Sequence, residues 1–246
     1  MIKAFILAIQ FLTRLPLNIQ VDFDERTIKK STAFFPFVGV IIASIVYIPF
    51  RLLISINEEI AALITLFVWI SITGGLHVDG LSDTADGFLS GRKKEKILEI
   101  MKDSRIGAFG VIAVVFDLLF KFIIIKNLRQ EGALIGLIVS IGLSRLLVTY
   151  LFAVGKSARN EGLGILFTGK ETIKYSIIGL LTFSLVGIYL VALRYVLLLF
   201  IGWLITYVLM KISYKKIDGL TGDVYGACIE INEILLLLLW VVIQWI

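Results

Sequence analysis

The sequence predicts an all-α fold, a polytopic helical integral membrane protein, and three observations carry that prediction. Of 246 residues, 59% are hydrophobic and 17% charged, with a mean hydropathy of +0.97, against roughly 45–50% and 25% in soluble domains. Several runs approach or exceed the roughly 20 apolar residues that a helix needs to cross about 30 Å of hydrocarbon. These runs are continuous in Leu, Ile and Val, whereas membrane strands show alternating segments of about ten residues.

Taken in order, apolar helices are expected near 2–17, 33–55, 60–77, 107–126, 133–154, 173–193, 195–212 and 231–246, giving about six to eight membrane helices. The first is short for a span and suits the interface, with Pro16 ending it. It carries Arg14 and no small-residue cleavage site, so it is read as retained rather than removed as a signal peptide. The sixth and seventh are separated by little more than Arg194, which marks a tight turn. No soluble domain boundary, low-complexity tract or repeat interrupts the chain, so residues 1–246 read as a single membrane domain.

If the spans alternate, segments 18–32, 78–106, 155–172 and 213–230 share one side and 56–59, 127–132 and the Arg194 turn share the other. The first group holds fourteen Lys and Arg, the second only Arg129 and Arg194. By the positive-inside rule the long loops are cytoplasmic and the protein sits in the cell's inner or plasma membrane. The net charge of +5 mostly reflects this asymmetry. It suits anionic headgroups or a phosphorylated substrate rather than nucleic acid. A single cysteine, Cys228, excludes an internal disulfide, and a single histidine, His77, excludes a multi-histidine metal site. Any metal is therefore expected to be hard and oxygen-bound.

The strongest chemical signal is GGLHVDGLSDTADGF at 74–88, where Asp79, Asp83 and Asp86 fall on one helical face at the end of an apolar run. Unpaired carboxylates at a membrane boundary demand a cation, a basic partner or water. Mg²⁺ is served by one or two such groups together with substrate phosphates. The bland alternative is a solvated helix cap neutralised by Arg92 and Lys93, and an ion-coupled transporter could use the same acids. His77, two residues earlier, is either a donor to a phosphate or base or a boundary histidine with a structural bond.

Four further segments carry candidates. Lys102, Asp103, Ser104 and Arg105 precede a helix start, where an Asp and an Arg suit metal and phosphate work or an ordinary capped ion pair. Arg159, Asn160 and Glu161 precede Gly162 and Gly164, a turn able to cradle an anion. Arg145 lies inside an apolar helix, where it needs a partner such as the acidic cluster or a substrate phosphate. In DGLTGDVYGACIEINE, Asp223 between glycines is the functional candidate, while Glu230 and Glu233 suit the start of the final helix.

Together FLTRLP at 11–16, FFPFVGV at 34–40, GGLHVDGLSDTADGF at 74–88, KDSRIGAFGV at 102–111, ARNEGLG at 158–164 and LTGDVYGA at 220–227 resemble the cobalamin synthase (adenosylcobinamide-GDP ribazoletransferase) family, in that family's order. The resemblance implies a membrane-bound, Mg²⁺-dependent phosphotransferase of late cobalamin biosynthesis. Such an enzyme joins adenosylcobinamide-GDP to α-ribazole or its 5′-phosphate and releases GMP. It makes Asp79, Asp83 and Asp86 the acidic site residues. On that reading Asp79, Asp83, Asp86 and Asp103 are metal candidates and Asp83, Asp86 and Arg105 catalytic ones. Mg²⁺ is expected between Asp79, Asp83 and the diphosphate, with Asp86 or Asp83 accepting the ribazole proton. Lys102, Arg105 and Arg159 are expected on phosphate oxygens, with His77, Arg145 and Asp223 as further binding residues. A membrane prenyltransferase using Mg²⁺ and a cation-coupled transporter remain the alternatives, and a homo-oligomer is compatible with the sequence.

Overall fold

The computed structural model describes every residue except 22, 160, 161 and 246, and of Leu163 only the backbone. The order is α1 (Ile2–Leu12), α2 (Glu25–Ser31), a 3-10 turn (Thr32–Phe34), α3 (Phe35–Leu53), α4 (Glu58–Thr73), α5 (Leu76–Leu89) and α6 (Lys94–Ile100). Then follow α7 (Ala108–Lys126), α8 (Ala133–Val154), α9 (Leu163–Leu166), α10 (Lys170–Val191), α11 (Leu193–Ile217) and α12 (Gly222–Trp245). Among the described residues the fold is all-α, and the one β pairing is an isolated bridge between Ser157 and Leu220.

Among the described residues six helices are long and apolar enough to cross a membrane, and a seventh crossing results if α4 and α5, bent by 87°, count as one broken span. The bend has a local cause: Gly74 and Gly75 both take left-handed φ, 67° and 69°, which ends α4 and redirects the chain. At its other end α4 is capped by Asn57, whose side chain accepts from Ile60 N at 2.9 Å, with Glu58 and Glu59 in the first turn.

The enclosed centre is α8, flanked by α3, α12, α10 and α11, while α10 and α11 turn most of their own apolar surface outward and α5 packs between α7 and α12. In lipid the packing of such helices rests on close backbone approach. Gly39 of α3 meets α8 so closely that an added Cβ would lie 2.7 Å from Gly142 Cα. α5 crosses α12 the same way: a Cβ at Gly80 would lie 2.8 Å from Asp223 O.

The connections gather at two ends of the bundle, as alternating spans predict. Lys126 pairs with Glu59 at 2.5 Å and Arg129 donates to Gln244 O at 2.7 Å, which gathers the α3–α4 and α7–α8 connections with the end of α12. On the opposite face Lys94 meets Asp218 at 3.0 Å, and Leu220 exchanges backbone bonds of 2.8 Å with Lys156 and Ala158.

α1 has 11 residues, about 16 Å of helix, too short to cross, as expected of an interfacial segment. Several boundaries differ from expectation, among them the helix expected at 60–77, which breaks at Gly74 and Gly75. The expected loop 213–230 is mostly helix, because α11 runs to Ile217 and α12 begins at Gly222. The glycines there do separate jobs. Gly219 lies in the tight turn, and Gly226 is a packing position inside α12, where a Cβ would come 3.2 Å from His77 Cα.

Candidate active site

The bend after α4 sets α5 so that its acidic face opens beside α7 and the start of α12. Asp79 is exposed, Asp83 half-buried and Asp86 buried. Their environments differ as much as their exposure. The Asp86 carboxylate accepts the backbone N–H of Gly107 at 2.7 Å and of Gly110 at 2.8 Å, closing the N-terminus of α7. Both partners are glycine for a steric reason: an added Cβ would lie 2.4 Å from Asp86 Oδ1 at Gly107 and 2.3 Å from Oδ2 at Gly110. A proton acceptor at Asp86 would therefore have to be a carboxylate already holding two donors. Asp79 and Asp83, by contrast, have no hydrogen-bond or ion-pair partner for their carboxylates among the described residues.

Two cavities meet at Asp79. One, of about 600 Å³, is lined by Asp79 and Asp83 with Lys102, Asp103 and Ser104 on its rim. The other, of about 280 Å³, joins Asp79 and His77 to Arg159, Asp223 and a group of aromatic rings.

Arg159 is held by one nitrogen. Its Nη1 lies 3.3 Å from Asp223 Oδ2, while Nε and Nη2 are buried without a partner among the described residues. Such a half-used guanidinium is a fork for an anionic oxygen. The turn that carries it is clamped against the α11–α12 connection. Lys156 N donates to Tyr214 Oη at 2.7 Å and Ser213 Oγ donates to Gly219 O at 2.6 Å. A Cβ at Gly219 would sit 2.6 Å from Lys156 O. Asn160 and Glu161 lie outside the described residues.

Asp103 and Arg105 engage each other. Arg105 Nη2 lies 2.6 Å from Asp103 Oδ2, its Nε donates to Oδ1 at 3.0 Å, and its backbone N–H also donates to Oδ1. These hydrogen bonds pull the Asp103 carboxyl down to about 2 and raise the Arg105 pKa. The pair is an exposed turn: Asp103 lines the same cavity as Asp79 and Asp83, but its carboxylate is engaged by Arg105, whose charge points at Asp103.

Arg145 is drawn elsewhere. It is fully buried, pairs with Glu233 and donates to Ser144 Oγ at 2.8 Å. Lys121 pairs with Glu230, lies 3.0 Å from Glu233 and 3.5 Å from Asp117, and His77 Nδ1 stands 4.0 Å from Glu230. Arg145 thus belongs to a charged core that joins α5, α7, α8 and α12, not to the acidic face of α5. Sequence reasoning missed this core as a unit, because Glu230 and Glu233 sit well inside α12 rather than at its start. The available signal was Asp117 and Lys121, four residues apart within an apolar run.

Among the described residues no three Asp, Glu, His or Cys side chains converge as a ready metal cage. The free oxygens of Asp79 and Asp83 match a different kind of site, in which one or two carboxylates share the ion with water and substrate phosphate.

Residues 4–241 match the cobalamin-5-phosphate synthase family. The chain belongs to that family. It is 40% identical over 253 residues to an adenosylcobinamide-GDP ribazoletransferase of Treponema denticola, covering 96% of each chain. It is 39% identical over 241 residues to the protein of that name from Clostridium novyi, covering 96% of this chain and 95% of the relative. A third, from Caldanaerobacter subterraneus subsp. tengcongensis, is 39% identical over 238 residues, covering 95% of this chain and 96% of the relative. No solved structure matches. The two cavities that meet at Asp79 set free carboxylates on one side and an open guanidinium on the other.

Proposed function

We propose that this chain is an adenosylcobinamide-GDP ribazoletransferase that joins adenosylcobinamide-GDP to α-ribazole, or its 5′-phosphate, with release of GMP. The names of the relatives support the reaction. The observation that carries it physically is the juxtaposition at Asp79: two unpartnered carboxylates, Asp79 and Asp83, beside an Arg159 with two unpaired donors.

The site is proposed to use Mg²⁺, because its free donors are hard oxygens whose number suits an ion shared with a diphosphate. When bound, Mg²⁺ would neutralise charge on the diphosphate and on departing GMP. Asp79 would hold it together with water and the substrate phosphates, which leaves Asp83, one turn on, free. Arg159 binds a phosphate oxygen through Nε and Nη2, and Lys102 adds positive charge from the neighbouring cavity. Asp83 accepts the proton of the ribazole hydroxyl as that oxygen attacks the corrinoid-linked phosphorus. The new P–O bond forms as the bond to GMP breaks, and GMP leaves with the electron pair. Asp86 supports the step by holding the start of α7 against α5. The excess of Lys and Arg on this side favours a cytoplasmic active face.

The test is GMP release by purified protein. Asp83→Ala and Arg159→Ala are expected to lower turnover at least about a hundredfold, the range of a lost general base or charge clamp. Near-wild-type release from Asp83→Ala would overturn the assignment.

A further inference from the structure

We propose that the aromatic cavity beside Asp79 is the pocket for the acceptor's heteroaromatic base, with the Tyr225 hydroxyl as its selecting group. This rests on the transferase reading above and adds to it the side of the reaction that the pocket serves.

Four elements supply its rings: Phe11 at the end of α1, Phe35 of α3, Phe152 of α8 and Tyr225 of α12. Phe152 and Tyr225 are 4.5 Å apart between centroids at 60°, and Phe35 stands edge-on to Phe152 at 6.1 Å. Behind them Phe167 stacks on Phe152 at 4.8 Å and contacts Phe11 at 4.7 Å. Rings drawn from four helices make a rigid apolar wall suited to a flat ligand.

One polar atom breaks that wall. Tyr225 is 5% exposed, and its hydroxyl is buried with no hydrogen-bond partner among the described residues. A buried hydroxyl left unpaired is costly, so a tyrosine kept here in place of phenylalanine points to a ligand atom that completes the bond. Gly164 covers the ring closely: an added Cβ would lie 2.8 Å from Tyr225 Cε2.

The wall chooses between the two bases of the reaction. Guanine on the donor carries hydrogen-bonding groups around most of its edge, and among the four rings it would meet only the Tyr225 hydroxyl. A benzimidazole nucleoside such as ribazole has a largely apolar edge and one free ring nitrogen able to accept from a tyrosine hydroxyl. Because Asp79 and Arg159 line the same cavity, a base on the rings leaves its sugar hydroxyls beside the acids and the phosphate fork.

The experiment measures steady-state GMP release by the full-length protein, varying each substrate with the other saturating, and equilibrium binding of α-ribazole without donor. Tyr225→Phe is expected to raise the KM and Kd for α-ribazole about three- to tenfold, the loss of one hydrogen bond, leaving the KM for adenosylcobinamide-GDP within about twofold. Gly164→Ala, which presses on the ring, is expected to shift the same constants. On the wild-type protein, α-ribazole is expected to bind at least about tenfold more tightly than guanosine, an arm that needs no variant. A donor KM that moves instead of the acceptor KM, unchanged constants, or guanosine binding as tightly as α-ribazole would overturn the pocket assignment. Absence of GMP release by wild type with both substrates would instead overturn the transferase reading, while the binding arms still judge the pocket.

Discussion

Asp86→Ala should unfold the start of α7, whereas Asp83→Ala should silence the enzyme and leave it intact. Asp86 accepts two backbone N–H groups at 2.7 and 2.8 Å, both on the first turn of α7 or just before it. Hydrogen bonds to a charged group contribute about 1.5–3 kcal/mol each, and a helix N-cap about 1 kcal/mol. Water can replace the bond at partly buried Gly107 better than the one at buried Gly110. The sum is therefore about 3 kcal/mol rather than the upper limit. For chains of 150–250 residues that corresponds to a fall in Tm of about 6–12 °C. Asp83 has no partner to lose, so Asp83→Ala is expected within about 2 °C of wild type. The single cysteine provides the assay: Cys228 is fully buried, and a thiol-reactive fluorophore reports its exposure as the detergent-solubilised protein is heated. Wild-type unfolding of Asp86→Ala, or an equal fall for Asp83→Ala, would refute this division of roles.

Three further outcomes follow from the same geometry. Arg145→Met leaves Glu233 buried with half its compensation and should cost about 3–5 kcal/mol, while Arg145→Met with Glu233→Met should recover most of it, read by the same thiol assay. Gly80→Ala forces a Cβ to 2.8 Å from Asp223 O and should cost about 1–3 kcal/mol and reduce GMP release, because α5 must retreat from α12. Asp103 has its folded carboxyl held down to about 2 by Arg105, so any stabilisation is present above its ordinary range and lost only as pH falls through that value. The pH–rate profile of Asp103→Asn should therefore match the wild-type shape between about pH 5 and 9; a shift of either limb would contradict it.

The membrane class, the helical face of Asp79, Asp83 and Asp86, and the sorting of the loops were legible because hydropathy, helical spacing and Lys/Arg asymmetry are local or compositional signals. The roles within the acidic face were not. Asp86 differs from Asp83 only because Gly107 and Gly110, more than twenty residues on, present their N–H groups to it. Arg145 is legible as a cation that needs a partner, but not as the partner of Glu233, which is 88 residues away and looks like a helix-start acid. Gly226 shares the loop signature of Gly219 but packs inside α12, since close approach of α5 and α12 uses the same residue type as a turn. The half-used state of Arg159 and the orphan hydroxyl of Tyr225 exist only in three dimensions.

The central claim, a Mg²⁺-assisted transfer of the cobinamide phosphate to ribazole at Asp79 and Asp83, is tested most directly by product analysis. Purified protein is supplied with adenosylcobinamide-GDP, α-ribazole and Mg²⁺, with and without a chelator. The account predicts one GMP released for each adenosylcobalamin formed, abolished by the chelator and restored by added Mg²⁺. Condensed product formed at an unchanged rate in the chelator, or no condensed product with Mg²⁺ present, would contradict it.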